Sequence, residues 1–135
     1  MAANNFPIYS ATPNVAFGQI TTANTAKDGT GTVVTVFTAG ANGGRVEKIR
    51  FRAKGTNVAT VCRIFINNGG ANSTPSNNVL YDEITLPATT LSEVAQLLNQ
   101  EIILNLSLPA AYTVMITIGT TVAAGYAITC LGGDY

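Results

Sequence analysis

The stretch from Glu101 to Ile118, EIILNLSLPAAYTVMITI, contains two short runs in which large apolar residues occupy every second position. The first run places four aliphatic side chains on one face: Ile102, Leu104, Leu106 and Leu108. The second run does the same with Tyr112, Val114, Ile116 and Ile118. A period of two is that of a β-strand with one buried face, and Pro109 ends the first strand because proline cannot donate to a ladder. The stretch therefore predicts two half-buried strands.

Segments of the same kind recur along the rest of the chain, separated by turns rich in glycine and asparagine. They lie at 14–20, 31–38, 44–54, 58–67, 78–86, 101–108, 112–119 and 125–131. Short strands at such regular spacing are typical of a sandwich or barrel. We predict an all-β chain, an eight-stranded antiparallel β-sandwich of jelly-roll type. Residues 14–135 form its single domain, after an irregular N-terminal arm at 1–13.

The alternation also assigns side chains to faces. Segment 44–54 turns three residues towards the core, namely Ile49, Phe51 and Ala53. Its opposite face carries a basic stripe, formed by Lys48, Arg50, Arg52 and Lys54. Both cysteines, Cys62 and Cys130, fall on core-facing positions, so we expect free, inert thiols. Segment 31–38 shows no preferred face, which predicts burial on both sides.

One segment has a helical pattern. The sequence TLSE from Thr90 to Glu93 matches a capping box, in which the threonine and glutamate side chains each accept from the other residue's amide. Four following residues then share one helical face, Leu91, Val94, Ala95 and Leu98. A short helix over 91–98 is the first prediction, and a loop or a ninth strand is the alternative.

Composition limits the class of protein. The chain has 135 residues, the size of one domain, and only 10% of them are charged, with seven basic and seven acidic side chains. Low charge with zero net charge favours association, unless Ser, Thr and Asn provide the solubility. Zero net charge also argues against a nucleic-acid binder. The first residues show no signal peptide, so we expect folding in the cytoplasm, and the uncharged stretch 102–133 is too interrupted for a membrane helix.

The residues that most enzymes use are scarce. Histidine is absent, which removes the commonest general base and the common zinc sites. Asp82 and Glu83 are adjacent on a predicted strand and point to opposite faces, with Asp82 on the face of Leu80 and Ile84. The glycine clusters match no phosphate-binding pattern. We therefore expect no catalytic residue, no metal and no cofactor.

Charge placement is the most unusual feature. Six of the seven basic residues lie between Arg45 and Arg63, and four of the seven acids lie between Asp82 and Glu101. The basic stripe is therefore a candidate subunit interface that docks on an acidic surface. The alternative is an ordinary solvated face whose charges pair with Glu83 or Glu101 across the sheet.

The N-terminal arm is a second candidate interface. It contains Phe6, Ile8 and Tyr9 beside two prolines, Pro7 and Pro13, where neither a ladder nor a helix forms easily. Three such side chains favour docking, either on this domain or on a neighbouring subunit. An extended arm of 13 residues reaches roughly 40 Å, far enough for both.

Eight alternating strands, an N-terminal arm and the segments LPATT (Leu86 to Thr90) and LPAAYTVMITIG (Leu108 to Gly119) resemble small phage virion proteins of jelly-roll type. These are capsid decoration, or cement, proteins and related head or tail accessory proteins. The resemblance covers residues 14–135 and carries over no individual site residue. It implies a structural virion protein, made in the host cytoplasm.

The partners implied are a major capsid or tail protein and further copies of this chain, with a trimer favoured over a dimer. The alternative hypothesis is a carbohydrate- or receptor-binding module, because jelly rolls often serve as lectins. Sugar sites usually need exposed aromatic residues, and the chain has no tryptophan and five tyrosines.

Overall fold

The computed structural model describes residues 9–135, of which the majority lie in eight antiparallel strands. The strands are β1 (Thr12–Ile20), β2 (Val34–Thr38), β3 (Gly44–Ala53), β4 (Thr60–Asn67), β5 (Asn78–Leu86), β6 (Asn99–Leu108), β7 (Thr113–Ile118) and β8 (Tyr126–Asp134). A single 3-10 turn, Pro75–Asn77, precedes β5. The predicted domain thus begins at Thr12, two residues earlier than expected, with Pro13 on an edge strand where it blocks no central ladder.

The strands form two four-stranded sheets, in the orders β1-β8-β3-β6 and β2-β7-β4-β5. Only β4 and β5 are consecutive neighbours in one sheet, so every other connection passes from one sheet to the other. This strand order is that of two interleaved Greek keys, the jelly roll. The predicted fold class is confirmed.

The core lies between the inner faces of the two sheets. Its largest fully buried side chains include Tyr126, Phe51 and Ile128 from the first sheet and Ile64 and Ile116 from the second. Each large apolar side chain buried there contributes about 1.5–3 kcal/mol. The faces assigned between Glu101 and Ile118 are confirmed in part. The side chains expected to point towards the core are buried or half-buried, whereas Ile103, on the opposite face, is 72% exposed.

Bulges interrupt the alternation in three strands, β2, β3 and β5. In β3 the register against both neighbours shifts between Val46 and Lys48, so Val46 and Ile49 are both buried although three positions separate them. In β2 a shift between Thr35 and Phe37 turns Val36 and Phe37 into the same core. A bulge of this kind, and not burial on both sides, explains the missing face preference of segment 31–38.

The predicted helix over 91–98 is not formed, and the alternative of a loop is correct. The amide of Leu91 donates to the hydroxyl oxygen of Thr56 at 3.0 Å, outside any helix. Leu97 and Leu98 pack against the core, whereas Val94 is 97% exposed. Residues 87–98 must carry the chain from one sheet to the other, and this crossing outweighs the local helical preference. The described residues include no helix long and apolar enough to span a membrane.

The connection between β1 and β2, residues 21–33, crosses the outer face of the β2-β7-β4-β5 sheet. At one end of this sheet the amide of Asn24 donates to the carbonyl of Ile118 at 2.8 Å. At the other end the side chain of Asn78 donates to the carbonyl of Asp28 at 3.0 Å. Four outer-face side chains between these anchors are buried, namely Arg63, Phe65, Met115 and Thr117. The chain therefore covers the outer face of this sheet over its central strands, β7 and β4.

Asn57 ties three connections together from a buried position. Its side-chain oxygen accepts from the amides of Ala124 and Gly125 at 2.9 and 2.8 Å, and its side-chain nitrogen donates to the carbonyl of Gly125 at 3.0 Å. Its backbone exchanges two hydrogen bonds with Thr89 in the loop before β6. One polar side chain thus satisfies backbone groups that the strands leave unpaired.

We expect Asn57→Ala to lower the free energy of unfolding by about 2–5 kcal/mol, because two buried amides and a carbonyl lose their partners. Asn99 is exposed and serves as the control, since Asn99→Ala should change stability by about 0.5 kcal/mol or less. Urea titrations of both variants measure the difference. Equal effects would contradict the role assigned to Asn57.

Both cysteine side chains lie in the core as free thiols, as predicted. Burial raises the pKa of the Cys62 thiol to about 12, and burial likewise raises the pKa of Cys130 to about 12. Only the thiolate is a good nucleophile. Protonated, inaccessible thiols are expected to be unreactive at mildly alkaline pH.

Iodoacetamide should therefore leave both cysteines unmodified in the folded protein and alkylate both after denaturation in guanidinium. Mass spectrometry of the two samples reads out the result. Rapid modification of the folded protein, or a disulfide-linked peptide pair from unreduced protein, would overturn it.

Candidate functional site

The outer face of the β1-β8-β3-β6 sheet consists of rows of cross-strand neighbours. The first row contains Val15, Leu131, Lys48 and Ile103. The second contains Phe17, Thr129, Arg50 and Glu101. The third contains Gln19, Ala127, Arg52 and Asn99. We refer to these twelve residues, with Arg45, Glu47 and Lys54 beside them, as the outer face.

Exposed apolar side chains lie at both edges of the outer face. Phe17 is 80% exposed and Val15 is 55% exposed, both on the edge strand β1. Ile103 is exposed on the opposite edge. Burial of one such side chain contributes about 1.5–3 kcal/mol, and no described segment of the chain covers this face as residues 21–33 cover the other sheet. The outer face is therefore a surface that gains from a partner.

Between these edges, the outer face of β3 is basic, as the sequence predicted. Three basic side chains point outwards from β3, namely Lys48, Arg50 and Arg52. Lys54 comes directly after this strand, and its Nζ donates a hydrogen bond to Gln19 Oε1. The bulge at Glu47 brings Arg45 onto the same face as Lys48 and Arg50. The basic stripe thus exists as one row along the middle of the sheet.

Glu101 neutralises part of this stripe. Its carboxylate lies 2.7 Å from Arg50 Nη2 and 3.3 Å from Lys48 Nζ. The hydrogen bond from Arg50, and then that from Lys48, lower the pKa of Glu101, which keeps the carboxylate ionised at neutral pH. One of the two expected pairings is therefore confirmed. Glu83 instead pairs with Arg63 on the other sheet, at 2.9 Å.

The outer face retains an excess of positive charge. It carries five basic side chains (Arg45, Lys48, Arg50, Arg52 and Lys54) and two acidic ones (Glu47 and Glu101), an excess of three. Among the described residues, Arg52 and Lys54 make no ion pair with a carboxylate. Because these charges are exposed, they contribute little to stability and are available to a partner.

The described part of the N-terminal arm leads onto the same face. The amide of Ala11 donates to the carbonyl of Asp134 at 2.7 Å, and Ser10 lies against Gly133. Tyr9, which is 80% exposed, lines an open pocket of about 440 Å³ together with Arg45 and Glu47. Five of the seven predicted interface residues thus lie on or beside the outer face.

The remaining two predicted interface residues, Phe6 and Ile8, lie outside the described residues. Sequence reasoning also left three outer-face residues out of the candidate set: Val15, Phe17 and Ile103. Alternation placed Ile103 on the outward face. It did not show that Phe17 points outwards, because segment 14–20 has apolar residues in both phases.

A second exposed apolar surface lies on β5. Five consecutive side chains of this strand are exposed, and we refer to them as the β5 patch: Val79, Leu80, Tyr81, Asp82 and Glu83. β5 is also the edge of its sheet, so one row of its backbone groups has no strand beside it. An exposed apolar edge strand is a template for association unless something covers it.

A bulge at Tyr81 corrects the predicted position of Leu80. Asp82 pairs with Ile64, and Leu80 pairs with Phe65, so Leu80 does not share the face of Asp82, which remains on the face of Ile84 as predicted. Asp82 is exposed. Glu83 lies on the opposite face beside Arg63 and also reaches solvent, whereas Arg63 is largely buried. The β5 patch therefore presents its side chains on both faces of an edge strand, with one carboxylate on each.

The described residues show no cluster of acidic and cysteine side chains that could hold a metal ion. The site instead consists of two exposed surfaces. The outer face is basic and apolar, and the β5 patch is acidic and apolar.

We expect Phe17→Ala to change the melting temperature by less than about 2 °C, because the side chain is exposed in the isolated domain. Phe51, fully buried on β3 of the same sheet, is the matched control, since Phe51→Ala should cost about 3–5 kcal/mol. Calorimetry of both variants provides the comparison. A loss at Phe17 as large as that at Phe51 would show that the outer face is covered within the monomer.

The chain matches no protein-family model, no curated protein and no solved structure at a significant level.

Proposed function

We propose that this chain is a structural virion protein that binds other capsid or tail subunits and stabilises the particle without catalysis. The observation that supports it is the asymmetry of the two sheets. Residues 21–33 run over the second sheet, where Phe65 of β4 and Met115 of β7 are buried, yet no described segment covers Val15 and Phe17 on the first sheet. A domain that covers one face and exposes the other has a surface suited to a partner.

The chemistry of that surface favours a protein partner. A flat face that combines exposed phenylalanine and isoleucine with unpaired arginine and lysine fits an acidic surface that also buries apolar area. Single-stranded nucleic acid would stack on exposed aromatic residues, but the aromatic residue of β3, Phe51, is buried in the core. Binding by such a surface requires no reactive group.

The carbohydrate- or receptor-binding alternative has weaker support. The exposed aromatic residues of the described chain, Tyr9, Phe17 and Tyr81, lie on three different segments. Of these three residues, Tyr9 lines an open pocket of about 440 Å³. A glycan array with the purified protein tests this alternative, and specific binding would favour it over the structural role.

Particles purified by density gradient from a culture that carries the gene should contain this chain in a fixed ratio to the major capsid protein. Quantitative mass spectrometry measures the ratio, and gold-labelled antibody against the chain locates it on the particle. Phe17→Ala should reduce the ratio, whereas Val58→Ala, at an apolar side chain that is 56% exposed outside both the outer face and the β5 patch, should leave it unchanged. Absence of the chain from particles, while the lysate contains it, would overturn the proposal.

A further inference from the structure

We infer that the outer face of one copy binds the β5 patch of the next copy, so that the chain assembles head to tail. The inference deepens the proposed structural role by naming one partner of the outer face as a second copy of this chain. It rests on the pairing of two exposed surfaces of opposite charge.

The outer face needs an acidic partner. Its excess of three positive charges surrounds apolar side chains, with Phe17 and Ile103 both largely exposed. Two outer faces placed against each other would bring like charges together at close range, and their repulsion opposes the contact. A symmetric dimer through this face is therefore disfavoured.

The β5 patch needs a basic partner for the same reason. Asp82 and Glu83 are exposed, and two β5 edges paired side by side would bring these carboxylates together. The patch is nevertheless apolar enough to require a cover, since Val79 is 56% exposed and Tyr81 is 45% exposed. A surface that is both basic and apolar meets this requirement.

Within the described chain the outer face is such a surface. Both surfaces are exposed, apolar in part and opposite in sign, and they lie on different sheets, so one copy cannot place its own face on its own patch. Contact between two different patches is heterologous, and it closes into a ring when the rotation permits. This geometry agrees with the trimer that the sequence favours over a dimer.

Charge reversal tests the inference directly. Arg52→Glu reverses an outer-face charge that makes no ion pair in the described chain, and Asp82→Lys reverses an exposed charge of the β5 patch. Each single variant should raise the dissociation constant of the oligomer by about tenfold or more at low salt, with a smaller effect at high salt. The double variant Arg52→Glu/Asp82→Lys should restore association.

Sedimentation velocity of the full chain over a range of concentrations measures the association. Lys27→Glu, an exposed reversal in the loop 21–33, is the matched control and should have no effect. Circular dichroism confirms that each variant is folded.

An oligomer that persists in both single variants would overturn the inference, as would single variants that dissociate without rescue in the double variant. Deletion of residues 2–8 separates the arm from the patches. If the deletion alone abolishes association and the reversals do not, the arm is the contact and the inference fails. A chain that is monomeric at all concentrations yet present in particles would overturn the head-to-tail contact and leave the proposed function intact.

Discussion

A two-layer sandwich can bury only one face of each sheet, and the rest of this structure depends on how the other two faces are treated. The inner faces share a core formed by residues such as Phe51, Ile64 and Tyr126. On the second sheet the loop at 21–33 supplies a third layer, anchored at Ile118 and Asn78. On the first sheet no described segment does so. The exposed apolar side chains of β1 follow from this difference.

The distribution of charge determines which of the uncovered surfaces attract each other. A net charge of zero suggests a featureless surface, yet the positive charges concentrate on β3 and two acidic residues are exposed on β5. Glu101 offsets only part of the basic stripe, because one carboxylate serves both Lys48 and Arg50. The separation of signs disfavours symmetric pairing and favours contact between unlike surfaces.

The sequence predicts the fold well because the period of two is strong in the central strands. Residues such as Leu104, Ile116 and Phe51 alternate with polar neighbours over enough positions to identify strands and faces. The bulges at Glu47 and Tyr81 could not be predicted, since a bulge depends on the register of neighbouring strands. The prediction that Leu80 and Asp82 share one face was wrong for this reason.

The helix at 91–98 was wrong because local capping signals say nothing about the path that a connection between two sheets must follow. Asn57 gave no signal either, since its role depends on backbone groups from two distant loops. Of the candidate site, the basic stripe was predictable from alternation. The exposure of Phe17 was not, because it depends on which sheet the loop at 21–33 covers.

Zero-length cross-linking with a carbodiimide tests the head-to-tail arrangement most directly, because it joins an amine to a carboxylate only where they touch. A mixture of unlabelled and ¹⁵N-labelled protein distinguishes links between copies from links within one. Lys48 and Glu101, whose charged atoms lie 3.3 Å apart, provide the internal control for links within one copy. The account predicts mixed-isotope links from Lys48 or Lys54 to Asp82 or Glu83. Recovery of the Lys48–Glu101 link, with no mixed-isotope link between β3 and β5 peptides, would contradict it.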